Sequence, residues 1–174
     1  MRAARTVMRI LLMFCRPLVA LVLFSQNQKV RPIFSDYAVP KVYEGAPASP
    51  LLDKGQRKFR TMIRQGAKSP VEFAGHYTVP RWGCGTGCAE FVIVDSITGR
   101  VYDAPFAVEE LPGIWEQQHI HETPSRIDMR PDSRLMKING CPNEHDCGFY
   151  DFVMVEGQGL KLLRKELLPK EFQY

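Results

Sequence analysis

The sequence predicts an α+β fold: an antiparallel β meander of about five to seven strands, preceded by one helix and an extended N-terminal arm. Three observations carry this. From position 70 onward, short runs of β-branched and aromatic residues recur at spacings of about 8–12 residues, each bounded by turn-forming residues. One segment alone, "GQRKFRTMIRQG" at 55–66, sets its apolar residues at helical spacing. Thirteen Gly and thirteen Pro in 174 residues are more than a helical bundle carries.

The chain opens with "MRAARTVMRILLMFCRPLVALVLFSQ". Arginines precede an apolar stretch and polar residues follow it, the order of an export signal. Arg16-Pro17 interrupts the apolar run, and a stable membrane span wants roughly 20 uninterrupted apolar residues. The expectation is a signal peptide or N-terminal anchor over 1–26 and a single α+β domain over 27–174. Membrane contact is then confined to an uncleaved leader. The net charge is +4, but Arg2, Arg5, Arg9 and Arg16 lie in the first 25 residues, which hold no acid. The body is therefore near neutral and lacks the field a phosphate backbone demands, which argues against a nucleic-acid partner.

Residues 27–54 are rich in Pro and small residues. Phe34, Tyr37 and Tyr43 predict that this arm packs on the body, with a short strand at "YAVPKVY". In the helix, Phe59, Met62, Ile63 and Gly66 fall on one face, with Arg57, Lys58, Arg60 and Arg64 around them as a solvated surface. Asp53 fits an N-cap, and Gly66 followed by Ser69-Pro70 ends the helix. "AGHYTVPRW" and "AEFVIVD" read as strands flanking a glycine-rich bridge; "SITG" is a turn before "RVYDAPF". "SRIDMR" and "RLMKING" form a hairpin about "PDS", and "GFYDFVMVE" and "LKLLRKEL" another about "GQG".

Without the leader and its Cys15, four cysteines remain: Cys84, Cys88, Cys141 and Cys147. An even number in an exported chain reads as a disulfide framework. Gly83, Gly85 and Gly87 permit the chain reversal that a Cys84–Cys88 bridge needs, and a second local bridge pins "CPNEHDC". Cross-pairing, a four-thiolate zinc site and a thiol oxidoreductase using Cys84 and Cys88 are the alternatives.

"HIHET" places His119 and His121 on one face of an extended chain, and His145 or His76 can complete a three-histidine site open to water. That is the basis of an alternative reading, a metal-dependent hydrolase; two solvent-facing histidines in a long connection are the commoner case. Asp95, Asp103, Asp128 and Asp132 are candidates for paired carboxylates, but strand-end and turn aspartates are more often turn makers. No G-x-S-x-G, Walker loop or H-E-x-x-H occurs, no cofactor is called for, and no catalytic residue is assigned. The leading function is a binding or inhibitory module of the cell envelope, its partner an envelope protein or small ligand. His76, Tyr77, Arg81 and Trp82 are the aromatic and cationic groups expected at its contact patch.

In order along residues 34–163, "FAGHY", "WGCGTGC", "TGRVY" and "DSRLM" resemble the motifs F-A-G-x-Y, W-G-C-G-T-x-C, T-G-x-V-Y and D-S-R-L-L of a family of small exported bacterial proteins. "CGFYDF" departs from the more aromatic strand of that pattern, and "HIHE" falls outside the shared motifs. The resemblance implies a single periplasmic or secreted domain and carries no catalytic assignment.

Export predicts a mature N-terminus between about Phe24 and Lys29. N-terminal sequencing of the envelope fraction checks this; an intact Met1 on cytoplasmic protein refutes it.

Overall fold

The computed structural model describes residues 31–109, 127–142 and 146–170. Among them run nine strands in two antiparallel sheets. The first sheet holds β1 (Tyr77–Thr78), β2 (Arg81–Gly85), β3 (Cys88–Asp95), β4 (Val101–Asp103) and β5 (Val108–Glu109). The second holds β6 (Ile127–Arg130), β7 (Ser133–Gly140), β8 (Gly148–Val155) and β9 (Gly159–Leu167), in that order. A 3-10 turn at Gln56–Phe59 leads into one short helix, α1 (Arg60–Gly66).

β3 is the axis of the first sheet. β1 and β2 form one interrupted line along one edge, and β4 and β5 another along the opposite edge. The interruption between β1 and β2 falls at Val79-Pro80, where proline removes a ladder donor. The sequence of β3 explains its central position. "FVIV" has no polar face, so both sides of the strand must be covered. Phe91 and Ile93 pack against Met136, Ile138, Tyr150, Phe152 and Met154 of the second sheet. Val92 and Val94 pack against Ile63 and Ala67 of the helical segment. The result is three layers: helix, sheet, sheet. The expected single meander is thus two meanders packed face to face. The alternation of β7 and β8 supplies the second inner face, and the 110–126 connection lies outside the described residues.

The second sheet also carries a buried ion pair. Arg164 Nη1 lies 3.2 Å from Asp151 Oδ2, with the two side chains 11% and 6% exposed. Arg164 also meets Glu166, which holds Arg31 of the arm.

The arm packs on the body as its aromatics suggest. Backbone N–H groups of Val39, Tyr43, Ala48 and Leu51 donate to carbonyls of Asp132, Gly75, Ser96 and Gly99. Phe34 lies under the Arg130 guanidinium at 4.3 Å, and the Ser133 hydroxyl donates to the Phe34 carbonyl at 2.8 Å. The expected strand at 37–43 is not formed. Its place is taken by a 3-10 turn at Phe34–Tyr37 and a lone bridge between Ala38 and Ser133. Pro40 has no N–H to continue a ladder.

The helix presents Phe59, Ile63 and Ala67 to the sheet, and Met62 is 43% exposed, contrary to its expected place on the apolar face. The 3-10 start shifts the register of the first turn, so a strict 3.6-residue stripe does not apply across it. Gly66 does more than end the helix: a Cβ there would lie 2.7 Å from Pro80 Cβ, so its absence lets the helix seat against the break between β1 and β2.

Because Ile93 is fully buried and Ile97, in the next turn, is 52% exposed, the two isoleucines should respond differently to truncation. Ile93→Ala should cost about 3 kcal/mol of unfolding free energy. Ile97→Ala should cost less than about 0.5 kcal/mol. Urea denaturation of both variants checks the assignment.

Candidate functional site

The site forms where the helical start crosses the first sheet. β2 and β3 make a hairpin through Thr86-Gly87, and its register sets Trp82 opposite Glu90. Cross-strand partners share a face, so both side chains point to the helix side. The indole Nε1 of Trp82 donates to Glu90 Oε2 at 2.8 Å, and the ring packs on Phe59 with centroids 4.5 Å apart.

Asp53 and Gln56 hold the other wall. Asp53 Oδ1 accepts from the Gln56 N–H at 2.8 Å, and Gln56 Oε1 accepts from the Asp53 N–H at 3.1 Å. This reciprocal pair has the capping-box pattern and closes the turn that leads into the 3-10 segment; the N-caps themselves fall later than expected, at Gly55 for that segment and at Phe59 for α1. The remaining end of the Gln56 amide, Nε2, donates to Asp103 Oδ1 at 2.9 Å. Gln56 is 7% exposed, so one amide ties the helix start to the end of β4 with all its polar atoms used.

Between these walls lies a cleft of about 320 Å³, lined by Asp53, Gln56, Lys58, Phe59, Trp82, Glu90, Asp103 and Phe106 among others. Asp103 pairs with Val92, two residues along from Glu90 on the same face, so the two acids are diagonal neighbours roughly 7–8 Å apart. Among the described residues, no donor meets Glu90 Oε1 or Asp103 Oδ2. Lys58 Nζ sits 4.6 Å from the Phe59 ring centroid at the rim. Three carboxylates against one ammonium give the cleft a negative field over an aromatic wall.

Disulfides brace the hairpin ends. Cys84 and Cys88 are joined, with Cα atoms 5.2 Å apart. Cys84 and Gly85 together oppose Cys88 across a β-bulge, and Gly85 and Gly87 take positive φ. Cys141 and Cys147 are joined on the rung that follows the Gly140–Gly148 pair, fully buried beside Phe149 and Leu168.

The four residues expected at a contact patch are not brought together. Trp82 lines the cleft. Arg81 lies on the opposite face of β2, bonded to Glu72 at 3.1 Å. Tyr77 is 1% exposed in the core between the sheets, its hydroxyl without a hydrogen-bonding partner among the described residues. Burial first, then Tyr102 and the Asp95 and Glu156 carboxylates, pushes its phenol up, so it stays neutral. His76 packs on the Tyr77 ring at 4.1 Å, and its Nε2 lies 3.9 Å from Asp95 Oδ1, beyond hydrogen-bond reach. The cause is the strand period: successive residues of one strand point to opposite faces.

Asp95 is a turn maker as expected. Its carboxylate accepts from Ile97 N, Thr98 N and the Thr98 hydroxyl. His119, His121 and His145 lie outside the described residues. Among the described residues, no group of three or more His, Cys, Asp or Glu is placed to hold a metal ion. Glu90, Gln56, Lys58 and Phe106 are cleft residues that sequence reasoning missed. Two signals pointed to them: the Asp53-x-x-Gln56 spacing, and the symmetry of the hairpin about "CGTGC", which sets Trp82 against Glu90.

No family model matches the chain, and comparison with curated proteins and with solved structures finds no significant match.

The Gln56–Asp103 contact makes a pH-dependent prediction. Gln56→Glu sets a second carboxylate against Asp103, and like charge raises the folded-state carboxyl pKa values above their unfolded ones. The folded form then binds more protons, so the variant should lose stability as pH rises through the carboxylate range. Relative to wild type it should be weaker by about 1 kcal/mol at pH 7 and equal to it near pH 4. Denaturation at the two pH values checks it; a pH-independent difference refutes the contact.

Proposed function

We propose that the protein is an exported binding module of the cell envelope, and that the cleft between the helical start and the β2–β3 hairpin receives its ligand: a small molecule or a side chain of an envelope partner. The observation that carries this is the cleft's preformed geometry. Its walls are held before any ligand arrives, by the Gln56 amide on one side and by the Trp82–Glu90 bond and the Cys84–Cys88 bridge on the other. Ligand sites are concave, largely preformed and aromatic, with a few placed polar groups, and this cleft fits each term.

Export is supported by the arginine-led leader, by the motif resemblance to small exported proteins, and by two disulfides, which persist in oxidising compartments. No helix among the described residues is long and apolar enough to cross a membrane. Binding is favoured over thiol exchange because Cys84 and Cys88 sit on strands, away from the helix N-terminus that activates a redox cysteine.

An NMR screen of the mature chain against neutral and charged aromatic fragments tests the site. Hits should converge on the indole N–H resonance of Trp82, assigned with Trp82→Phe, and on the methyls of Ile63 and Val92. Hits scattered over other surfaces, with none at Trp82, refute the cleft as the binding site.

A further inference from the structure

We propose that the cleft is a receptor for a guanidinium group borne on a ligand with a flat or apolar body. This deepens the binding reading above and rests on it.

Three features of the cleft converge on that chemistry. The first is charge. Asp53, Glu90 and Asp103 face Lys58 alone among the ionisable lining residues, so the field at this open cleft is negative. A cleft walled by low-dielectric side chains focuses such a field and draws in cations.

The second is the placement of acceptors. Glu90 and Asp103 come from neighbouring strands and stand as diagonal neighbours, roughly 7–8 Å apart. Each already spends one oxygen on a fixed internal donor, Trp82 Nε1 at 2.8 Å and Gln56 Nε2 at 2.9 Å. Those bonds orient the carboxylates, and the second oxygen of each is met by no donor among the described residues. A group that serves two separated acceptors must donate from opposite edges. Guanidinium, planar with five N–H donors in a rigid fork, does this; an ammonium is a compact point charge that sits on one acceptor.

The third is the aromatic wall. Trp82 and Phe59 line the cleft in contact with each other. Guanidinium stacks on such faces, gaining cation–π attraction while its edges remain free to donate. The protein already uses this attraction: the Lys58 ammonium sits 4.6 Å from the Phe59 ring centroid. Lys58 is thus an internal competitor, tethered at the rim by its own backbone.

The probe is phenylguanidinium, with phenylurea as its neutral isostere and benzylammonium as the alternative cation, each titrated into the mature chain and followed at the Trp82 indole N–H resonance. Phenylguanidinium should bind at least about tenfold more tightly than either control. Glu90→Gln and Asp103→Asn keep the oxygen that accepts from Trp82 or Gln56 and remove only charge. Each should weaken phenylguanidinium by about tenfold without altering the amide spectrum elsewhere. Lys58→Met should do the reverse and tighten it, a result that damage to the fold cannot mimic. An acetylated, amidated Ala-Arg-Ala peptide forms a second arm: tighter binding of the peptide assigns a protein partner's arginine as the source, and tighter binding of phenylguanidinium assigns a small molecule.

Equal affinity for phenylguanidinium and phenylurea overturns the guanidinium assignment while leaving the cleft a binding site. Preference for benzylammonium overturns it in favour of an amine. Insensitivity to both carboxylate variants and to Lys58→Met overturns it as well. If no probe moves the Trp82 resonance up to about 10 mM, the binding reading falls with it.

Discussion

Burial of β3 on both faces is the constraint from which the rest of the structure follows. A strand reading "FVIV" cannot leave either side to water, since each exposed side chain forfeits about 1.5–3 kcal/mol. One face is met by the second sheet, through Met136, Ile138, Tyr150, Phe152 and Met154. The other is met by the only helix among the described residues, through Ile63 and Ala67. The helix is short, and its apolar contact ends at Phe59. Phe59 closes the 3-10 turn that precedes the helix, and the cleft lies between this turn and the sheet. The cleft is therefore a by-product of covering a two-sided strand with a helix of seven residues.

What keeps that gap open and shaped is polar. A buried amide is costly unless every end is bonded, and Gln56 bonds all of its ends: back to Asp53, in the turn that leads to the helix, and across to Asp103, which ends β4. Glu90 is held in the same way by the indole of Trp82. Each carboxylate at the site is thus positioned by a donor that is itself fixed. The two disulfides sit at the hairpin ends, each on the rung where its ladder stops: Cys84–Cys88 shapes an exposed turn, and Cys141–Cys147 also forms a small buried cluster with Phe149 and Leu168.

A good part of this was legible along the chain. The hairpins about Pro131-Asp132 and Gly157-Gln158, the Asp95 turn, the Asp53–Gln56 turn and the two local bridges all rest on contacts between near neighbours. Glycine at 85 and 87, and aspartate at 95, name their own conformations. Other readings failed, each for its own reason. Tyr77 and Arg81 were grouped with Trp82 by proximity in sequence, but strand alternation sends them to different surroundings. Met62 was grouped with Ile63 on a helical stripe that the 3-10 start displaces. The arm was given a strand that Pro40 and the Phe34–Tyr37 turn deny it.

The sequence by itself indicated most of the strands, the turns that reverse them, and local bridges as the leading cysteine pairing, because period, glycine and spacing act over a few residues; the bridges themselves and the break between β1 and β2 were decided by the structure. Only the tertiary structure decided that the strands form two sheets, which face of β2 meets the helix, and that Gln56 reaches Asp103, 47 residues away. Those outcomes depend on which apolar faces find each other across the core. Many strands share the same alternation, so the pattern along the chain states that a face is buried without naming its partner.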